Sequence, residues 1–377
     1  MITIHAVGDL VLERDDARDL LAAVADTLRS ADLVIGQLEI PHVASAEAAV
    51  VQTTDVPALP GPPSALDALA EAGFGILTLA GNHVYDFGPE GMRETVGHCE
   101  ARGMRTVGIG ETIDEAFEPV IADVDGTRIA VVSVNCVGPR ESRATTLKPG
   151  AAHVDVVTHY EPRNANPGGP PRIDTFVEPA SLRRFIAAVT DAATRADIVV
   201  VALHKGLVHV PVEIAAYETE IAHAAVDAGA TAVVGHHAHI FKGVEMYRGR
   251  PIFHGLGNFA TVTRALSAMS GDAPEREAWA RERRRIFGFE PDPAMPDYPF
   301  HPDSRNTAIA VLTIEGDRVE AGLIPCWIDD DARPVPVGRS ARGDDVAAYL
   351  QRITSEAAFT TALAWAGDRL LARTKED

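Results

Sequence analysis

The sequence predicts an α/β fold with largely parallel strands early in the chain and antiparallel ones late. Three observations lead there. Apolar runs of strand length alternate with amphipathic helical stretches over most of the chain. After Lys242 that alternation gives way to two hairpin patterns. Polar residues suited to chemistry recur directly behind the apolar runs, where open α/β sheets bind ligands.

The elements follow in order. "ITIHAVGD" reads as a strand, followed by a helix near residues 15–30 and a second strand, "LVIGQLE". A helix near residues 63–72 leads to "FGILTLAGNH", and another covers about 89–102. "RIAVVSVNC" has the continuous apolar character of a buried strand. Helices near 181–195 and 214–228 precede "DIVVVALH" and "TAVVGHH". "KGVEMYRGRPIFHGLG" then predicts a hairpin turned at Arg248-Gly249, and "NTAIAVLTIEGDRVEAGLIPCW" one turned at Glu315-Gly316-Asp317. Two stretches read as insertions into a single domain spanning residues 1–377. Residues 138–179 are rich in Pro, Gly and Asn without a clear period, and 264–303 join a charged helix to "PDPAMPDYPFHPD". Loops of this length serve as substrate loops or lids, or are solvated excursions.

Composition bounds the partners. Hydrophobic residues make up 46% of the 377, enough to bury a large core. Asp and Glu number 54 against 34 Lys and Arg, a formal charge of −20 that argues against nucleic acid or an anionic membrane as partner. The expected partner is a small anionic substrate whose charge is met by metal ions; a homodimer stays open. The three cysteines lack motif spacing and read as buried free thiols. The first residues carry no basic n-region or long apolar core, and no run approaches the roughly 18 residues of a membrane span. A cytoplasmic protein is expected.

Five strand ends carry the chemistry: Asp9, Glu39, Asn82-His83, His204 and His236-His237-Ala238-His239. Singly, each has a bland structural role, such as a helix cap or a satisfied polar residue. Together they converge on one rim of the sheet. Carboxylate, amide oxygen and imidazole without thiolate suit a pair of divalent cations: Mn first, Fe or Zn as alternatives. Two such ions, about 3.5–4 Å apart, can share a carboxylate and a hydroxide that attacks phosphorus or a carbonyl carbon. His83, beside the amide, is the group left for proton transfer.

The linked motifs "GD", "GQLE", "LAGNHVYDFG", "VVALHKG" and "GHHAH" followed by "KGVEMYRGRPIFHGLGNF" resemble the CapA family, associated with poly-γ-glutamate capsule synthesis, within the calcineurin-like metallophosphoesterase superfamily. The resemblance covers most of residues 2–259. It implies a four-layer α/β/β/α sandwich of two mixed sheets with a dinuclear metal site. Asp9 and His239 would hold one metal; Asn82, His204 and His237 would hold the other; Glu39 would bridge. His83 would be the general acid, steadied by Asp86. The superfamily's opening Asp-x-His reads Asp9-Leu10-Val11 here, with His5 a weak substitute, and the family's Asn-Leu-Glu reads Gln37-Leu38-Glu39. The function implied is a dinuclear-metal-dependent hydrolase of a phosphoester or an amide, ester or lactone bond. A non-catalytic role in capsule biosynthesis or polymer binding is the alternative.

Other residues are candidates at the same rim. His209 is expected to join catalysis. Lys205, His254, Asn258, Tyr160 and Arg163 are expected to contact substrate. His236 is expected to point away from the metals and to support the site or its substrate.

Overall fold

The structure is a computed structural model and describes residues 1–45, 60–162, 169, 171–263, 281–282 and 284–374. The larger sheet runs, edge to edge, through strands Thr361–Ala366, Arg369–Thr374, Arg318–Ile328, Asn306–Glu315, Ile2–Leu12, Leu33–Leu38, Phe74–Thr78 and Arg105–Val107. Strand Asn258–Val262 joins the far half of Ile2–Leu12 in parallel. The last four strands of that order pair in parallel, and those before them antiparallel. The second sheet orders Val244–Tyr247, Arg250–Phe253, Ala232–His237, Ile198–Lys205, Thr127–Asn135 and Val120–Val124, with three parallel pairings at its centre. Both sheets are mixed, as the shift from crossover to hairpin patterns predicts.

Period-two alternation sorts the core into layers. In strand Ile198–Lys205, Ile198, Val200 and Ala202 meet Ile4, Ile35 and Ile76 of the other sheet. Val199, Val201 and Leu203 face the opposite way, onto Phe185, Val189, Ile221 and Ala225 of helices Pro179–Arg195 and Ala216–Asp227. Beyond the larger sheet, Leu10, Val34 and Leu77 pack on Leu20, Leu28, Leu69 and Met92 from helices Arg18–Leu21, Ala25–Arg29, Leu66–Glu71 and Gly88–Glu100. Helix, sheet, sheet and helix are thus stacked in four layers. Helix Ala341–Glu356 seals the inter-sheet core with Val346, Leu350 and Ile353.

Both predicted hairpins form. Tyr247 pairs with Arg250 across a turn whose two residues, Arg248 and Gly249, have φ of 50° and 74°. Glu315 pairs with Arg318, so Gly316 and Asp317 make the second turn. The expected single helix near 15–30 is two short ones, and residues 63–65 form a 3-10 turn before their helix. The first insertion is not a period-less loop. Strands Val156–Pro162 and Pro171–Val177 pair along seven residues, because alternation in "VVTHYEP" and "PRIDTFV" outweighs the Pro and Gly between them. Cys99, Cys136 and Cys326 are buried free thiols, each pushed by burial up to about 12. No helix among the described residues is long and apolar enough to cross a membrane.

Candidate metal centre

Asp9 lies inside a strand rather than at its end, because Ile2–Leu12 runs three residues further. What turns it toward the second sheet is a bulge. Ala6 pairs with Ile35 and Asp9 with Gln37, so the strand carries one extra residue between them. A one-residue slip exchanges the faces of every later side chain. Val7 faces the helices before the bulge, Leu10 and Leu12 face them after it, and Asp9 is left on the inner side. Gly8 allows this, since a Cβ there would stand 2.0 Å from the Gly257 carbonyl oxygen. The Asp9 amide bonds that carbonyl at 2.8 Å, and the Asp9 carboxylate accepts from the His237 amide at 3.1 Å.

Glu39 follows strand Leu33–Leu38 and is 2% exposed. Neither of its carboxylate oxygens has a hydrogen-bond partner; His239 Nε2 stands 3.3 Å from Oε1. A buried carboxylate without donors is costly unless a cation meets it. Asn82 follows strand Phe74–Thr78, and its Oδ1 lies 2.7 Å from His204 Nε2. Gly138 makes room for Asn82: with φ of 78°, a Cβ there would lie 2.3 Å from the Asn82 Cβ. His237 closes strand Ala232–His237, its ring 4.9 Å from that of His204 and its Nδ1 unpartnered.

The donors fall into two groups, Glu39-His204-His237 and Asp9-Glu39-His239, with ligand atoms within 4.8 Å of one another in each. Glu39 belongs to both. His237 and His239 hold backbones at φ of 82° and 52°, a region sparsely used by residues other than glycine. Such strain clusters at functional sites. The donor chemistry and the orphaned Glu39 oxygens fit divalent cations.

Electrostatics match a place for positive charge. Burial and the Glu39 charge push Asp9 well above the usual carboxylate range. Burial pushes Glu39 up as well, but the His239 charge and contact, with His204 and His83, bring it far below that range. Burial lowers His239, and Glu39 more than reverses this, raising it to about 9. His237 is lowered by burial and His239 to about 3, and His204 by burial and His237 well below its ordinary value.

His83 stands beside Asn82, with Nδ1 2.8 Å from Asp86 Oδ2. Burial lowers its pKa, and the Asp86 bond and charge with Glu39 raise it further than that, for a net rise. The imidazole is one fifth exposed and the Asp86 carboxylate 2%, so the dyad opens to solvent on the histidine side. Asn258 pairs with Asp9 in register, and its Oδ1 accepts from His239 Nδ1 at 2.8 Å. That bond leaves Nε2 as the ligating nitrogen. Asn258 is fully buried, so it positions His239 rather than touching substrate.

Several expected substrate contacts lie elsewhere. Lys205 follows His204 and so points to the other face of its strand; it is 0% exposed, bonding Glu218 Oε2 at 2.9 Å and the His254 carbonyl at 3.1 Å. His254 turns to Glu245 at 2.9 Å and stacks on Phe359. His236 donates to the Val7 carbonyl at 3.1 Å, bracing the bulged strand. Burial corrects Lys205 and His254 from substrate contacts to supports, while His236 points away from the donor groups and supports the strand, not the substrate. His5 is no replacement ligand, since strand alternation puts it with Val7 on the helix side while Asp9 faces the second sheet. Tyr160 is 62% exposed on the outer hairpin, with no described contact to the metal centre. Arg163 lies outside the described residues.

His209 does come to the rim. Its amide bonds the Ala238 carbonyl at 2.8 Å, its φ is 61°, and its ring centroid is 6.0 Å from that of His239. Around it stand aromatic residues that sequence reasoning missed: Phe287 at 5.1 Å, Phe289 at 4.8 Å and Phe300 at 6.0 Å. The signal was "FGF" and "YPF" in the second insertion, but only the fold places them here.

The model of the bacterial capsule synthesis protein family PGA_cap matches residues 3–263, a span holding all six candidate ligands. The PGA biosynthesis protein CapA of Bacillus subtilis is 28% identical over 267 residues, covering 67% of this chain and 61% of that protein. A probable polyglutamine synthesis accessory protein of Mycobacterium tuberculosis is 28% identical over 222 residues, 58% of this chain and 52% of that protein. The chain therefore spans between about half and three fifths of the length of these relatives. Among solved structures, the calcineurin-like phosphoesterase YfkN from Bacillus subtilis aligns with a TM-score of 0.39 at 12% identity, over 94% of this chain and 97% of that one. The chain belongs to the bacterial capsule synthesis protein family PGA_cap.

Proposed function

We propose that the protein is a metal-dependent hydrolase acting on a phosphoester, or on an amide, ester or lactone bond, of a small anionic substrate. The observation that carries this reading is the pair of buried donor groups sharing Glu39, with the His83–Asp86 dyad at their edge. Asp9, Glu39 and His239 would hold one divalent cation; Glu39, Asn82, His204 and His237 would hold another. Mn is the first expectation for these oxygen and nitrogen donors, with Fe or Zn next. When bound, the cations would lower the pKa of the attacking water and stabilise oxyanion charge.

The chain's own groups supply the rest. Asn258 fixes the His239 ring so that Nε2 faces Glu39. Asp86 accepts from His83 Nδ1, which favours the imidazolium and aims Nε2 outward as the proton donor to the leaving group. The fold's formal charge of −20 leaves the cations to attract the anion.

A second reading rests on the relatives, whose names speak of capsule biosynthesis and of an accessory role. On it, the centre would bind a polymer or metal without turnover. Metal analysis of the purified protein, followed by a panel of phosphomonoesters, phosphodiesters, amides and lactones, separates the two. The hydrolase reading predicts metal-dependent turnover that His83→Ala lowers by about 10²–10⁴-fold with metal content unchanged. Bound metal with no turnover on any substrate overturns it in favour of the second.

A further inference from the structure

The family match ends at residue 263, yet one wall of the centre comes from further along the chain. Phe300 packs its ring 5.0 Å from His239 and is itself buried against Tyr298, whose hydroxyl takes a bond from the Asn258 amide at 3.1 Å. Phe287 and Phe289 meet the buried His209 ring edge-on, near right angles, and Phe289 also reaches His301. Phe300 and Tyr298 are sealed in the interior, whereas Phe287 and Phe289 keep part of their surface open to solvent. The rings therefore form a graded wall. Its inner end fixes a candidate ligand, and its outer end offers apolar area beside the metal centre.

We propose that Phe287 and Phe289, with His209, form a subsite for a flat apolar group, aromatic or similar, next to the scissile bond of the anionic substrate. This rests on the hydrolase reading for the anion's place but not for its turnover. Phe287 and Phe289 keep part of their ring area open beside His209, and a third ring laid against it would find the offset or edge contacts that aromatic pairs favour. A methyl-sized group would leave that surface wet.

The test is calorimetric binding of phenylphosphonate and methylphosphonate to the full-length, Mn-loaded protein. A phosphonate mimics both a phosphoester and the tetrahedral intermediate of carbonyl attack, and it cannot be hydrolysed. The proposal expects phenylphosphonate to bind about tenfold tighter or more, and Phe289→Ala to bring the ratio near unity. Phe289→Leu, which keeps apolar bulk, is expected to retain part of the preference, and metal content and melting temperature report that each variant is folded. Equal affinity for the two phosphonates, or a preference untouched by Phe289→Ala and Phe287→Ala, overturns the subsite and leaves the hydrolase reading standing. Selective binding of phenylphosphonate without turnover of any ester or amide supports the subsite and overturns the hydrolase reading. Binding of neither phosphonate overturns both.

Discussion

Asp86→Asn tests the part of the site proposed to move a proton. The Asp86 carboxylate is 2% exposed and 2.8 Å from His83 Nδ1, a buried charge-assisted bond. Such bonds contribute about 1.5–3 kcal/mol. Asparagine keeps the shape and an acceptor oxygen but removes the charge that favours imidazolium over imidazole. If His83 Nε2 donates the proton, the variant loses most of that energy in the transition state, a fall of about 10- to 100-fold in kcat at neutral pH. The sign of the pH effect follows. Turnover needs protonated His83 and falls as pH rises through its pKa, so removing the carboxylate moves that basic limb to lower pH. The assay is the pH profile of kcat for the metal-loaded variant, with metal content measured on the same sample. The slowest wild-type substrates, whose leaving groups most need a proton, should lose most. An unchanged basic limb, or equal losses for activated and unactivated leaving groups, would refute the role given to the dyad.

Other predictions concern the support of the centre. Asn258→Ala removes the acceptor that fixes His239 and should weaken metal binding by about 10–100-fold, read by competition with a chelating dye. Glu39 raises His239 to about 9, so below that pH a proton competes with the cation. Metal affinity should then rise with pH until about 9, and titration with Mn at neutral pH should release protons, measured in buffers of differing ionisation enthalpy. Glu218→Gln leaves the fully buried Lys205 and Lys242 ammonium groups without a carboxylate and should cost about 3–5 kcal/mol by denaturant unfolding, while metal content per folded molecule stays at the wild-type value. Burial lowers Lys242 to about 8, so folded protein has shed a proton between that pH and 10.5 that unfolded chain still holds. Stability relative to Lys242→Met should accordingly rise across that window.

Much of the fold was legible because buried sheets write their periods plainly. "IVVVALH" and "TAVVGHH" are continuous apolar runs, and both late hairpins carry Gly at the turn. The candidate ligands were legible for the same reason, since each follows such a run. What failed was the direction of side chains. Adjacent strand residues face opposite sides, so His204 and Lys205 could not both reach the rim, a rule the sequence alone would have supplied. Asp9 broke the rule for a reason hidden in the sequence: a bulge beside Gly8 turns it inward. The strand pair in the first insertion was hidden by the Pro- and Gly-rich sequence between its two strands. The aromatic wall depends on long-range packing between residues 209 and 287–300, which no local pattern announces.

The account turns on whether cations occupy the two donor groups that meet at Glu39. An anomalous difference map from crystals of the full-length protein grown with Mn addresses this directly. Two peaks are predicted, one against Asp9 and His239 and one against Asn82, His204 and His237, both in contact with the Glu39 carboxylate. No peak there, or peaks only at surface carboxylates, would contradict the account.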